Sequence, residues 1–207
     1  MPTSRELLPR RALEMFGIEL SSGELERIDR FIDVLARWRT RVNLVAARST
    51  QELIDRHVLD ALALTALTRS VHVAADLGSG AGFPGIVMGI TAPDTRIHLL
   101  EARERRAAFL KEVARILALD NITVWPVRSE RWQGGEQAEL VAVRGVRAET
   151  AAAAARSLLA IGGALALMRK EGAGHFEAQG YEEVRKMGYR LPGGERHEVL
   201  VLRLRPD

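Results

Sequence analysis

Cysteine is absent from this chain of 207 residues. Its absence excludes disulfide bonds, thiolate catalysis and metal sites built on cysteine. The five histidines lie far apart in the sequence, so we expect no metal centre. No apolar run approaches the roughly 20 residues that a membrane-spanning helix needs, and the first residues lack the apolar core of a signal peptide. These absences predict a cytoplasmic protein that binds neither a membrane nor a metal, and we expect it to be a monomer.

Lysine is scarce as well. Only Lys111, Lys170 and Lys186 occur among the 30 basic residues, so nearly all of the positive charge is arginine, and the formal net charge is only +3. Arginine forms two parallel hydrogen bonds with phosphates and with guanine edges, which favours a nucleic-acid partner. A genome rich in G and C would produce the same bias. The arginine content alone therefore does not decide between a nucleic-acid partner and codon usage.

Hydrophobic periodicity divides the chain into two regions. Residues 1–70 show only helical patterns: a first helix over 5–16 that Ser4 caps, a second that starts at Ser21 or Ser22, and a third over 50–67. The second helix has an apolar face with the three- and four-residue spacing of an α-helix, formed by Leu25, Ile28, Ile32, Leu35 and Trp38. We therefore expect a small helical N-terminal region, residues 1–70, followed by a second domain, residues 71–207.

Residues 71–207 alternate between strand and helix patterns. Strands are predicted at 71–77, 96–100, 122–127, 139–143, 163–168 and 198–204, and helices at 103–119, 149–161 and 177–188. A Pro-Gly-Gly turn after Leu191 predicts a hairpin-like end. This order predicts an α/β fold that is Rossmann-like, with a mostly parallel seven-stranded sheet and a C-terminal antiparallel hairpin.

The segment Asp76–Gly85, with the sequence DLGSGAGFPG, is the most informative part of the chain. It follows an apolar strand pattern and precedes a helix-compatible stretch, and a glycine turn in this position lets the backbone approach a nucleotide-like ligand. From Gly80 onward it matches the G-x-G-x-x-G dinucleotide fingerprint, with Glu101 at the distance of a ribose-binding acid. From Asp76 onward it reads D-x-G-x-G-x-G, the pattern of S-adenosylmethionine-binding proteins.

Three features favour S-adenosylmethionine over a nicotinamide or flavin cofactor. Gly78 directly follows the strand and is expected to make the tight turn, which leaves Gly85 out of the dinucleotide register. Pro84 lacks an N–H where a pyrophosphate needs a donor. Asp76 is expected to point its carboxylate into the mouth of the pocket, where it suits a methionine ammonium group and repels a diphosphate. A glycine turn without any ligand is the remaining alternative.

No residue is assigned as a general acid or base. His57 is expected on the apolar side of its helix, where a histidine belongs to the core or to an interface. Methyl transfer from a sulfonium is an in-line displacement that depends largely on holding the acceptor near the methyl carbon. Guanine N7 has a free lone pair and loses no proton on methylation, so it needs positioning rather than a base. A carbon or hydroxyl acceptor would normally need a base.

Several motifs together resemble the bacterial ribosomal RNA small-subunit methyltransferase G family, also called glucose-inhibited division protein B. The likeness rests on Asn43-Leu44 closing the second helix, Arg48, His57-x-x-Asp60-Ala61, the Asp76–Gly85 loop, Glu101, Arg106-x-x-Phe109-Leu110, Leu117-x-Leu119-x-Asn121 and Arg128-x-Glu130. The Phe-Pro-Gly end of the loop is more specific than its glycines. The resemblance implies the class I S-adenosylmethionine-dependent methyltransferase fold. It also implies N7 methylation of one guanine in a hairpin loop of 16S ribosomal RNA, in the small ribosomal subunit.

The patterns and the resemblance together indicate the site residues. Those expected at the cofactor are Asp76, Gly78, Ser79, Gly80, Gly82, Phe83, Glu101, Ala102, Ser129, Glu130 and Arg144. Those expected at the RNA are Asn43, Arg48, Arg128, Arg144, Arg147 and Arg169. Arg103, Arg105 and Arg106 are expected to complete a basic rim around the pocket.

The substrate side departs from the family pattern. The family's Ser-Arg-Ala-Val-Ala is Val143-Arg144-Gly145-Val146-Arg147 here, and Arg169-Lys170-Glu171-Gly172 replaces its Lys-Gly. Alternatives to the 16S guanine enzyme therefore stay open. They are a methyltransferase for another RNA, one for small molecules or proteins, a non-catalytic cofactor-binding ribosome-assembly factor and, last, a nucleotide-dependent oxidoreductase.

Overall fold

A seven-stranded sheet organises the chain, which the computed structural model describes over residues 2–38, 42–132, 135–174 and 176–206. The strands are β1 (Val73–Leu77), β2 (Arg96–Leu100), β3 (Ile122–Trp125), β4 (Ala138–Arg144), β5 (Leu159–Lys170), β6 (Tyr181–Arg190) and β7 (Arg196–Leu204). They lie in the order β3-β2-β1-β4-β5-β7-β6; β1 to β5 are parallel, and β7 is antiparallel to both β5 and β6. The predicted fold class is confirmed.

Helices cover both faces of this sheet. They are α1 (Ser4–Phe16), α2 (Ser22–Trp38), α3 (Thr50–Leu53), a π-helical turn (Ile54–Val58), α4 (Leu59–Leu62), α5 (Thr65–Thr68), α6 (Gly85–Thr91), α7 (Glu104–Ile116), a 3₁₀ turn (Ser129–Arg131) and α8 (Ala148–Ala155). The helices of residues 4–68 pack with α6 and α7 on one face, and α8 packs on the other.

The alternation of side chains along β4 shows how the two layers are built. Leu140 and Ala142 face the layer that contains α1 to α7, whereas Val141 and Val143 face α8. The core of the first layer runs without a break from Leu8 in α1 to strand β7. The division at residue 70 stays a prediction about independent folding.

The predicted helix over 177–188 is wrong, because this segment contains strand β6. Glu182, Glu183, Arg185 and Lys186 favour helices by intrinsic propensity, but β6 is the edge strand of the sheet. Charged side chains are typical of edge strands because they prevent pairing with other molecules. The pairing register also shifts between Glu183 and Arg185, which interrupts the alternation that would have indicated a strand.

Other element boundaries differ from the prediction. Thr3, not Ser4, caps α1: its hydroxyl accepts the Glu6 amide at 3.3 Å while the Glu6 carboxylate accepts the Thr3 amide. The predicted helix over 50–67 is broken into three short α-helices and a π-helical turn. The helix predicted to reach residue 161 ends at Ala155, and β5 already begins at Leu159. The second helix is confirmed.

Candidate cofactor and acceptor site

A cleft of about 210 Å³ lies at the carboxyl ends of β1 and β2, which is where ligands bind in open α/β sheets. It is lined by Leu77, Gly78, Leu100, Glu101, Ala102, Val127, Arg128, Ser129, Val146, Thr150 and Ala154. Gly78, Glu101, Ala102, Arg128 and Ser129 were all expected at the site from the sequence. The sheet therefore brings these five residues together, although they are far apart in the chain.

Glu101 is the fixed carboxylate of this cleft. It is only 6% exposed, its Oε2 accepts the Gly80 amide at 3.0 Å and its Oε1 accepts the Arg103 amide at 2.8 Å. A carboxylate offers about four lone-pair sites, so two acceptor positions are left for a ligand. Because the backbone holds both oxygens in place, Glu101 is suited to accept hydrogen bonds from a pair of neighbouring hydroxyl groups.

Gly78 forms the turn that gives a ligand access to the main chain. Its φ of +77° is a left-handed conformation that side chains rarely adopt. A Cβ at this position would lie 3.8 Å from Cγ2 of Val146 on the opposite wall, so it would occupy the cleft. An apolar wall, a glycine turn and a fixed carboxylate together can hold a flat apolar group that carries neighbouring hydroxyls.

Asp76 is buried at the base of the glycine loop, and the prediction that its carboxylate faces the pocket mouth is wrong. The residue is 1% exposed, and its Oδ2 accepts the Gly85 amide at 3.0 Å. A Cβ at Gly85 would lie 2.5 Å from this oxygen, so only glycine fits there. Burial raises the pKa of Asp76 to about 7, against the hydrogen bonds from Ser79 and Gly85, which lower it. Ser79 is also buried, with its hydroxyl donating to the Asp76 carbonyl at 3.0 Å.

Gly82 and Phe83 face the N-terminal helices. The Phe83 ring lies 5.0 Å from the Phe31 ring in α2 and 5.3 Å from the His57 ring. A Cβ at Gly82 would come within 2.7 Å of Ile86 and 3.2 Å of Phe31. These two loop residues therefore anchor the loop to the helical layer, and neither lines the cleft described above.

Arg144 ends β4 but is absent from the wall of the cleft. Its Nε lies 2.9 Å from Oδ2 of Asp60, and its Nη2 donates to Nδ1 of His57 at 2.6 Å. The His57 ring is therefore a neutral acceptor, and burial together with the Arg144 charge lowers its pKa to about 4. This agrees with the expectation of an interface histidine. The placement gives the predicted cofactor contact of Arg144 no support, because its guanidinium faces the N-terminal helices.

A second cleft of about 270 Å³ lies at the carboxyl ends of β4 and β5. Val146 lines both clefts, so the two are neighbours. Arg147 and Arg169 line the second cleft. The Arg147 side chain is 85% exposed and lies 3.6 Å from Glu149, whereas Arg169 is largely buried, with Nε 2.7 Å from Oε1 of Glu198. Of these two expected RNA contacts, only Arg147 offers an open guanidinium.

The remaining expected RNA residues lie on the surface. The prediction that Asn43 closes the second helix depends on residues 39–41, which lie outside the described part of the chain. Asn43 itself is exposed, and its carbonyl accepts from Nη2 of Arg106 at 2.7 Å. Arg48 and Arg128 are exposed too. The side chain of Glu130 lies outside the part of the chain that the structure describes.

Val127, Val146 and Thr150 were missed by the sequence analysis. Val127 follows β3, and the rule that ligands bind at the carboxyl ends of strands could have found it. Val146 and Thr150 depend on the path of the loop between β4 and α8, which no motif specifies. Two larger cavities, of about 430 and 860 Å³, lie along residues 176–183, away from the glycine loop.

Residues 2–38, 42–132, 135–174 and 176–206 contain neither a membrane-spanning helix nor a cluster of metal ligands. No helix there is both long and apolar enough to span a membrane. Within those same ranges, no three His, Cys, Asp or Glu side chains cluster in a way that could hold a metal ion.

The strand order, the glycine turn after β1 and the acid after β2 define a class I methyltransferase fold. Pyrococcus horikoshii TYW2 in complex with MeSAdo has this fold with a TM-score of 0.58 and 17% identity, over 73% of this chain and 63% of that one. The N-methyltransferase NodS of Bradyrhizobium japonicum has a TM-score of 0.51 and 17% identity, over 72% and 94% of the two chains.

The chain belongs to the GidB family, rRNA small subunit methyltransferase G, whose profile matches residues 24–187. The Ribosomal RNA small subunit methyltransferase G of Halorhodospira halophila is 36% identical over 168 residues, which are 79% of this chain and 80% of that protein. That of Dichelobacter nodosus is 35% identical over 130 residues, 63% of this chain and 61% of that protein. Family membership identifies the chain as a methyltransferase and confirms the resemblance found in the sequence.

Proposed function

We propose that this protein transfers the methyl group of S-adenosylmethionine to N7 of a guanine in 16S ribosomal RNA. The observation that carries the proposal is the fixed Glu101 carboxylate beside the Gly78 turn, in a chain of the rRNA small subunit methyltransferase G family. Such an enzyme would act on the small ribosomal subunit or its RNA in the cytoplasm, where ribosomes are assembled.

Different residues of the first cleft would contact different parts of the cofactor. Glu101 would accept hydrogen bonds from the ribose hydroxyls, and the apolar wall of Ala102 and Val127 would contact the adenine. Gly78 would leave room for the ligand to lie against the main chain. When bound, S-adenosylmethionine supplies an electrophilic methyl group on a sulfonium.

The acceptor side relies on positioning, because guanine N7 has no proton to lose. Exposed arginines lie along the same edge of the sheet as the cleft: Arg103 and Arg105 after β2, Arg128 after β3 and Arg147 after β4. Arginines in such a row bind a phosphate backbone without reading its sequence. This arrangement supports an RNA over a small-molecule acceptor.

Transfer of tritiated methyl groups tests the proposal. The purified protein and labelled S-adenosylmethionine are incubated with each of four acceptors in separate reactions. The acceptors are small ribosomal subunits from a strain lacking the homologous enzyme, naked 16S RNA, transfer RNA and a protein extract. Label is expected in 16S RNA, and Glu101→Ala should abolish most of it, whereas the exposed control Asp120→Asn should not. Label only in transfer RNA or protein would contradict the proposed substrate. Cofactor binding without any transfer would favour a non-catalytic assembly factor.

A further inference from the structure

Asp60 lies at the centre of a buried polar cluster whose members come from three parts of the chain. The residue is 1% exposed, and its Oδ1 accepts from the Tyr189 hydroxyl at 2.6 Å and from Nδ1 of His197 at 2.8 Å. Its Oδ2 pairs with Nε of Arg144 at 2.9 Å, and Arg144 in turn donates to His57 at 2.6 Å. We call these five residues the Asp60 cluster. It connects the N-terminal helices, the end of β4 and the β6–β7 hairpin.

The Asp60 cluster keeps the carboxylate ionised. Burial raises the pKa of Asp60, but the hydrogen bonds from His197 and Tyr189 and the charge of Arg144 outweigh burial and lower it below its usual value. Breaking such a buried pair is strongly destabilising because it leaves an uncompensated charge. The pair therefore holds the Arg144 guanidinium next to Asp60. His57 and Asp60 lie three residues apart in the helical segment and bind two nitrogens of the same guanidinium. Arg144 is therefore held in one orientation.

Arg144 is the last residue of β4 and lies beside the glycine turn, because Val143 pairs with Leu77, the residue before Gly78. Val143, just before it, lines the second cleft, and Val146, two residues after it, lines both. A guanidinium has five N–H donors, and the contacts of Arg144 with Asp60 and His57 use two of them. The side chain is 21% exposed. Within residues 2–38, 42–132, 135–174 and 176–206, the other three donors make no hydrogen bond, and a group that enters from the acceptor side can bind them.

We propose that Asp60 and His57 are positioning residues that aim the unused N–H donors of Arg144 at O6 of the acceptor guanine. The inference rests on the proposed function. O6 lies beside N7 on the same edge of guanine, and arginine is its commonest protein donor. A bond to O6 alone orients this edge and leaves the N7 lone pair unoccupied.

The charge balance of the pair favours a base edge over a phosphate. The Asp60 carboxylate lies 2.9 Å from Arg144, so the ion pair as a whole carries little net charge while its guanidinium still donates hydrogen bonds. Guanine becomes cationic on N7 methylation, and an unpaired arginine beside it would repel that charge. The exposed Arg147 lacks such compensation, with Glu149 at 3.6 Å and both side chains largely in water, and it is better suited to a phosphate.

Steady-state kinetics on small subunits test the positioning role. Asp60→Asn keeps the shape of the side chain but weakens its hold on Arg144, so kcat should fall by about 10- to 100-fold while the affinity for S-adenosylmethionine changes by less than about threefold. The matched control is Asp55→Asn, which breaks another partly buried pair, with Arg11 at 2.5 Å, in the same helical segment without touching Arg144. The control should change the melting temperature but not kcat. Equal losses of kcat in both variants would overturn the inference.

A second readout compares two substrates for the same protein, so the fraction of folded enzyme cancels in the ratio. Small subunits are reconstituted with 2-aminopurine, which has N7 but no O6, at the methylated position. Wild type should lose at least about tenfold in kcat/KM relative to guanine, because an O6 contact is worth that much. Arg144→Ala should show almost no further loss, and Asp60→Asn should show a smaller loss than wild type. A guanine-to-2-aminopurine ratio that is the same in all three proteins would refute the inference. Failure of wild type to methylate guanine at all would instead refute the proposed function.

Discussion

At the scale of single residues, two buried carboxylates beside the glycine loop have different surroundings. Glu101 accepts two main-chain amides at 3.0 and 2.8 Å and reaches the cleft. Asp76 accepts one amide, from Gly85, and is only 1% exposed. The first is therefore suited to bind a ligand, and the second to hold the loop.

The role of Glu101 leads to a binding prediction. Glu101→Ala should weaken S-adenosylmethionine binding by roughly 1–3 kcal/mol, because the ribose hydroxyls lose their acceptor. Isothermal titration calorimetry measures the change. The matched control is Glu104→Ala, an exposed acid in the first turn of α7 that lies outside the cleft. An affinity equal to that of wild type would remove Glu101 from the cofactor site.

The raised pKa of Asp76 predicts a pH-dependent stability difference. The carboxyl group ionises near 3.8 in the unfolded chain and near 7 in the folded one, so the folded state binds more protons between these values. The stability that comes from this raised pKa is complete below about pH 3.8 and is lost as the pH rises to about 7. The Asp76→Asn variant has no carboxyl group to titrate here. Its free energy of unfolding should therefore increase relative to that of wild type as the pH rises.

Urea unfolding of both proteins at about pH 5 and about pH 8 measures this difference. Both proteins retain His57, so its own titration cancels in the comparison. The exposed Asp120→Asn serves as the control and should show the same offset from wild type at both pH values. A pH-independent offset for Asp76→Asn would show that the carboxyl group titrates normally.

At the scale of elements, the glycine loop is a rigid link between β1 and α6. Gly82 has a φ of +90°, and a Cβ there would lie 2.7 Å from Ile86 and 3.2 Å from Phe31. Gly82→Ala should therefore lower the free energy of unfolding by about 1–3 kcal/mol through steric overlap and backbone strain. Gly193→Ala in the β6–β7 turn is the control, because nothing lies within 4 Å of its added Cβ and its φ is not positive.

Chemical denaturation of these two variants separates packing from general sensitivity to alanine. Equal and small effects would mean that the loop yields to the added methyl group. A large loss for Gly82→Ala alone would show that the helical layer fixes the loop, as the ring contacts of Phe83 with Phe31 and His57 indicate.

The sequence allowed the parallel part of the sheet to be predicted because its strands are apolar runs between glycine turns and amphipathic helices. It did not allow β6 to be predicted, because an edge strand needs charge rather than apolar residues. The site likewise has a part that the sequence predicts and a part that it does not. Gly78 and Glu101 belong to a short-range motif, whereas the contact of Arg144 with Asp60 spans distant parts of the chain and leaves no local pattern.

At the scale of the whole molecule, the N-terminal helices are part of the architecture that holds the site. Phe31 and His57 support the glycine loop, and Asp60 supports Arg144. The apolar core of the first layer includes side chains from α1, α2, α6, α7 and the sheet. Removing the helices would expose this face of the sheet layer to water.

Truncation tests whether the two predicted regions fold independently. The fragment 71–207 is expected to lack a cooperative thermal transition and to aggregate, because it loses the apolar partners of Phe83 and Ile86. Circular dichroism and light scattering measure both properties against the full chain. A monomeric fragment with a sharp transition would support the division into domains at residue 70.

The central claim is methylation of guanine at N7, and the identity of the modified nucleoside tests it most directly. Small subunits from a strain lacking the homologous enzyme are incubated with the protein and S-adenosylmethionine carrying a deuterated methyl group. The 16S RNA is then digested and its nucleosides are analysed by mass spectrometry. If the protein methylates guanine at N7, the label appears in 7-methylguanosine. Label in any other nucleoside, with none in 7-methylguanosine, would contradict the claim.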